Sequence, residues 1–174
     1  KNPSRSYDLS DYGNEFPAFL KSSSTIGEIP FISELARFEW NFKFLFHSAD
    51  APNAENFLNR LSQDPNMKLH LPPATILWKS DFPIYNIWKR REGPISSLND
   101  INLDAKECLL CRKLNGTVHI THLEEPEFQL LQQFESPSSI DEAVSHYQKL
   151  SGDLSIESIQ NLFSRIGALG VLSS

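Results

Sequence analysis

Residues 108–122, CLLCRKLNGTVHITH, place two cysteines and two histidines in the spacing C-x2-C-x7-H-x2-H. Thiolate sulfur and imidazole nitrogen are the usual ligands of a structural zinc, and such a site needs four of them converging at about 2.0–2.3 Å. In the middle stands Asn115-Gly116, the best short signal for a two-residue type I′ hairpin. A turn there pairs Leu114 with Thr117, Arg112 with His119, Cys111 with Ile120 and Leu109 with His122. Side chains alternate faces along a strand, so Cys108 and His119 fall on one face and Cys111 and His122 on the other. Ligands divided between two faces cannot close one site. The stretch therefore reads as a hairpin with no metal. Its apolar face is Leu109, Cys111, Val118 and Ile120, and Cys111 is a small buried hydrophobe. A redox role for Cys-x-x-Cys fits no better, because such a pair wants a helix N-terminus to lower its thiol pKa, and this one lies in a strand.

Other reactive constellations are missing from the sequence. The seven glycines are scattered and form no phosphate-cradling loop, and neither G-x-S-x-G nor H-E-x-x-H occurs. His47 and Asp50, with Glu39, come nearest to a carboxylate–histidine set, but His47 also fits a cation at a helix C-terminus. Glu124, Glu125 and Glu127 crowd ahead of a helix, where they complement its dipole. No catalytic residue and no cofactor are expected, and the chain reads as a non-enzyme.

The elements that must carry these residues can be read from apolar periodicity. Tyr12, Phe16, Phe19 and Leu20 repeat at helical spacing, with Pro17 suited to a first turn and Gly13 and Gly27 as punctuation. The strongest helix opens at Pro30 and carries Phe31, Ile32, Leu35, Phe38, Phe42, Leu45 and Phe46. That aromatic crowd is read as core rather than as a cofactor box. A short amphipathic helix, NAENFLNRLSQ, follows Pro52. From residue 68 the pattern becomes extended, broken at Pro72-Pro73. FPIYNIWKRR then reads as a short helix that Asp81 is able to cap, and residues 92–107 as a linker. The hairpin comes next, followed by three helices. The first runs from Pro126 with Phe128, Leu131 and Phe134. The second starts after Ser139, with Glu142 completing a capping box, and carries Ile140, Ala143, Val144, Tyr147 and Leu150 up to Gly152. The third starts after Ser155, carries Ile156, Ile159, Leu162, Phe163 and Ile166, and ends at Gly170, after which Val171-Leu172 adds a short strand. The order β-β-α-α-α is the layout of a small winged-helix module. The expected fold class is α+β: an all-helical N-terminal domain (1–66), an extended segment, short helix and linker (67–106), and a winged-helix-like β-hairpin plus three-helix C-terminal domain (107–174).

Composition bounds the rest. With 174 residues, 40% hydrophobic and 22% charged, the chain is expected to be a soluble globular protein with its own core. No apolar run approaches a membrane span, and no signal peptide is recognisable, so no membrane association is expected. Two cysteines suggest no disulfide framework, which points to a reducing, cytoplasmic compartment. Sixteen basic against 22 acidic residues give a net charge of −6, which disfavours nucleic acid as a partner. The one basic run, Lys89-Arg90-Arg91, reads as a solvated helix end. A chain that starts at Lys1 without an initiator Met reads as a piece of a longer protein.

Three stretches go beyond pattern: PSRSYDLSDYGNEFPAFL, IPFISELARFEWNFKFLFHSAD and LHLPPATILWKSDFPIYNIWKRR. Their Tyr12, Gly13, Phe16, Pro17, Phe19 and Leu20, then Leu35-Ala36-Arg37 with Glu39-Trp40, Ala49-Asp50 and Ile87-Trp88, resemble a family first catalogued as a DNA-binding domain and later called the HvfC/BufC family. With the C-terminal module the resemblance covers nearly the whole chain, apart from the family's opening helices. It implies a two-domain partner protein of a multinuclear non-haem iron oxidative enzyme. Such a partner helps the enzyme hold a precursor peptide in the biosynthesis of ribosomal peptides modified at cysteine. The last third is also similar to the peptide-recognition modules of such pathways, in which a leader peptide adds as a strand to a sheet edge and lies against the third helix. The corresponding surfaces here are strand 117–123 and helix 156–168. Val118, Ile120 and His122 would then line the edge, and Phe163 and Ile166 the groove, although the apolar ones among these fit a hydrophobic core equally well. The rival is a DNA-binding regulator reading a groove with Gln160, Asn161, Ser164 and Arg165. That helix offers Arg165 alone for phosphate.

Overall fold

In the computed structural model, residues 13–23, 29–51, 61, 63–152 and 155–174 are described. Tyr12, Gly27 and all of the 53–63 helix but Leu61 and Gln63 lie outside them. In chain order the elements are α1 (Phe16–Ser22), α2 (Ile32–His47), β1 (Thr75–Ser80), α3 (Ile84–Lys89), a 3-10 turn (Ile95–Leu98), β2 (Glu107–Leu114), β3 (Thr117–Leu123), α4 (Glu125–Gln132), α5 (Ile140–Ser151) and α6 (Ile156–Leu169). Helices thus accompany one small antiparallel sheet of order β1-β2-β3, a mixed α+β protein. By contacts the chain divides into two compact units, residues 1–44 with 80–107 and residues 45–79 with 108–174. The second unit is drawn from two stretches of chain, because β1 and β2, distant in sequence, pair within it.

The first unit is held by aromatic rings. Phe38 and Ile84 are buried, and Trp88 receives Phe38 edge-on at 5.9 Å and Phe42 at 4.6 Å between centroids. Such pairs add to simple area burial. Ser33 Oγ donates to the Pro17 carbonyl at 2.9 Å, tying α1 to α2. The start of α3 differs from the sequence expectation. Asp81 does not cap it; the N-cap position is Pro83, which offers no side-chain acceptor, and Asp81 instead pairs with Lys106 at 2.8 Å. The acceptor comes from 22 residues away: buried Glu107 takes the Tyr85 N–H at 2.7 Å. Burial pushes the Glu107 carboxyl above its ordinary range, and the Tyr85 amide partly offsets this.

The second unit is an aliphatic cluster. Leu69, Leu110, Leu130, Leu131, Phe134 and Ala143 are fully buried in it, with Tyr147, Leu162, Ile166, Val171 and Leu172 close around. Its helices begin as local sequence dictates. Ser139 Oγ accepts the Glu142 N–H while the Glu142 carboxylate accepts the Ser139 N–H at 2.9 Å, a complete capping box. Ser155 accepts from Ser158 N–H at the start of α6, and Glu124 N–H donates to Glu127 Oε2 at 2.7 Å ahead of α4. Gly170 ends α6 in the left-handed conformation, φ 58°. The extended segment before β1 belongs to this unit: Leu69 bridges Ser138 and His70 bridges Ser173. Val171-Leu172 form no strand, and the chain end makes a single isolated bridge at Ser173 instead. Leu150 does not join the core, being 71% exposed, because α5 presents Ala143 and Tyr147 inward instead.

Candidate functional site

The hairpin forms with the register expected from its turn. Asn115 (φ 50°) and Gly116 (φ 75°) make the turn, and Arg112 faces His119, Cys111 faces Ile120 and Leu109 faces His122. Asp50 reinforces the turn by accepting the Gly116 N–H at 3.0 Å. Cys108 and His119 therefore share one face and Cys111 and His122 the other, and among the described residues no group of three His, Cys, Asp or Glu is placed to hold a metal. The Cys108 thiol donates to Glu125 Oε2 at 3.3 Å.

Which face is apolar needs correcting. Leu109 and Cys111 are buried as expected, but Val118 and Ile120 are only half-buried. The face packed into the aliphatic cluster is the other one, through Cys108, Leu110 and Leu123. β2 is buried on both faces, through Cys108 and Leu110 on one and Leu109 and Cys111 on the other. A strand buried on both sides reads as a continuous apolar run, which hides the alternation that would name its core face.

β3 is the edge strand. Among the described residues nothing pairs with its outer side. Val118, Ile120 and exposed His122 stand together on one face of it. Phe163 and Ile166 come together elsewhere. They line an apolar pocket of about 120 Å3 with Leu61, Ile140, Gly167, Gly170, Val171 and Leu172. No β3 residue lines this pocket, whose Ile166 and Leu172 belong to the cluster that packs against the opposite sheet face. The structure thus assembles two surfaces from the five candidate peptide-binding residues rather than one groove.

Gln160, Asn161, Ser164 and Arg165 are all exposed on α6. The Arg165 guanidinium is engaged, with Nη1 3.0 Å from Glu124 Oε2 and Nε 2.8 Å from Glu127 Oε1. The Arg165 hydrogen bond holds the Glu124 carboxyl below its ordinary range, and the same contact raises the Arg165 pKa. Other cations of this unit are similarly matched: Lys79 lies 2.5 Å from Glu125, and Lys68 pairs with Glu142. The exposed basic run of the first unit rests on rings and carbonyls of the same unit. Lys89 sits 4.6 Å from the Tyr85 centroid, Arg91 sits 3.9 Å from that of Trp88, and Arg90 donates to the Ser97 carbonyl.

One residue escaped the sequence reading. Arg112 lies on the core-facing side of β2, and its Nη1 donates to the Gly170 carbonyl at 3.0 Å. Its Nε is buried without a hydrogen-bond partner among the described residues, and burial lowers its pKa. The available signal was a cation set in the apolar run of a central strand, where a charge is expensive without a partner. Among the described residues no helix is long and apolar enough to cross a membrane. No protein-family model and no curated protein matches the chain.

Proposed function

We propose that this protein is a non-catalytic partner that binds a precursor (leader) peptide and an iron-dependent modifying enzyme in ribosomal peptide natural product biosynthesis. The observation that carries the reading is the seven-residue edge strand Thr117–Leu123, whose outer side pairs with no strand among the described residues. An exposed edge is a template for an added strand: backbone hydrogen bonds supply affinity, and alternate side chains supply specificity. Val118, Ile120 and His122 are the side chains that would meet the peptide. On this reading residues 107–174 are a winged-helix-like recognition module in a cytoplasmic protein, and residues 1–66 are the helical domain of the HvfC/BufC resemblance. Exposed apolar residues such as Phe16 and Phe19 on α1 suit a protein partner. A DNA-binding regulator is the weaker reading, because Arg165 is already committed to two glutamates.

The test titrates a labelled precursor peptide and a labelled duplex DNA against the purified protein, with and without a multinuclear non-haem iron enzyme of the class that the resemblance implies. Peptide binding that the enzyme strengthens, and that Ile120→Lys weakens, is the expected result. Salt-sensitive duplex binding that is indifferent to the enzyme would replace this reading with the regulator.

A further inference from the structure

Arg112 donates to the Gly170 carbonyl at the C-terminal end of α6, and Gly170 also lines an apolar pocket. Lys68, Lys79 and Arg165 each hold a glutamate, but Arg112 has only the neutral Gly170 carbonyl among the described residues. A partly buried guanidinium without a counter-charge is unfavourable, and its planar fork of donors matches a carboxylate. The carbonyl it grips belongs to a wall residue of the pocket. That pocket, at about 120 Å3, is apolar and has room for about one aromatic ring or branched aliphatic side chain, but not a long acyl chain. Gly167, another wall residue, is the third clue. It sits within α6 without a positive φ, and a Cβ built on it meets nothing within 4 Å. Neither backbone conformation nor close packing calls for glycine there, and alanine would favour the helix. Its lack of a side chain leaves the pocket wall open.

We propose that Arg112 and this pocket form one subsite for a peptide segment carrying a carboxylate beside a single leucine- or phenylalanine-sized side chain. The apolar side chain fills the space between Phe163, Ile166 and Leu172, and the carboxylate takes the Arg112 guanidinium. A single cation with no acidic partner among the described residues matches a singly charged carboxylate better than a doubly charged phosphate. Either an acidic side chain or a chain-terminal carboxylate supplies the group. The choice of a peptide over a free acid rests on the peptide-binding reading above.

Three labelled probes test this against the full chain by fluorescence anisotropy: acetyl-Gly-Gly-Glu-Leu-Gly-amide, the same peptide with Gln for Glu, and acetyl-Gly-Gly-Gly-Leu with a free carboxyl terminus. At least one carboxylate probe is expected to bind about tenfold tighter than the Gln probe, as a charge-assisted hydrogen bond requires. Whichever carboxylate probe binds identifies the source. Gly167→Leu, which puts a side chain at the pocket wall without disturbing any close contact, should weaken that binding about tenfold or more. Arg112→Gln should erase the preference for the carboxylate. Equal binding of charged and neutral probes, no binding of any probe, or binding indifferent to Gly167→Leu overturns the subsite. The first comparison uses the unaltered protein, so it stands even where Arg112→Gln fails to fold. Ile120→Lys separates the two readings: precursor binding that depends on Ile120 but not on Gly167 keeps the edge-strand function and removes this subsite.

Discussion

The two compact units begin their helices in opposite ways. In the second, α5 and α6 are each started by the serine immediately before them, and α4 by a glutamate pair three residues apart. In the first, α3 is preceded by a proline with nothing to offer, and its acceptor is Glu107, far along the chain. The cores differ in the same sense. Aliphatic side chains close the second unit, whereas rings at 4.6–5.9 Å around Trp88 close much of the first. A locally capped helix is specified wherever its segment lands, but one capped from a distance exists only when the tertiary structure delivers the acceptor.

The contrast can be broken most forcefully at the cores. Phe134→Ala, at a fully buried position, should destabilise the protein by about 3–5 kcal/mol in urea unfolding. A loss below about 1 kcal/mol would show that the aliphatic cluster is not the main support of its unit. Next is the distant cap. Glu107→Ala leaves the Tyr85 amide without its carboxylate, at about 1–3 kcal/mol, with faster hydrogen exchange at the start of α3 as the local signature. The local cap should matter less: Ser139→Ala is expected to lose about 1 kcal/mol.

The two glutamates should also respond to acid with opposite signs. Glu142 is pulled down to about 2, first by the Lys68 hydrogen bond and then by the Ser139 amide. Its stabilisation is therefore present above its unfolded pKa, near 4.5, and is lost as pH falls toward 2. Glu107 is raised by burial, so the folded state holds its proton more tightly than the unfolded chain does. Its contribution improves as pH falls through its raised pKa toward 4.5 and declines as pH rises through that window. Acid unfolding profiles of Glu142→Gln and Glu107→Gln should differ from the parent in opposite directions, and a shared direction would contradict the assigned environments. The smallest effect belongs to Asp81→Asn. Its pair with Lys106 is largely exposed, so thermal unfolding should move by the equivalent of about 0.5 kcal/mol or less.

The sequence determined by itself whatever depends on neighbours a few residues apart. Asn115-Gly116 set the hairpin register, and with it the separation of Cys108 and His119 from Cys111 and His122. Ser139 with Glu142, Ser155 and Gly170 set the limits of α5 and α6, because caps act within one turn. Tertiary structure decided what needs partners distant in the chain. It chose the Cys108–Leu110–Leu123 face as the one packed on the helices, since β2 is apolar on both faces and its pattern names neither. It gave Asp81 to Lys106 and the start of α3 to Glu107. It also set Phe163 and Ile166 in a pocket apart from Val118 and Ile120, and left Arg112 beside that pocket with a carbonyl alone, because charge pairing is settled by which surfaces the folded chain brings together.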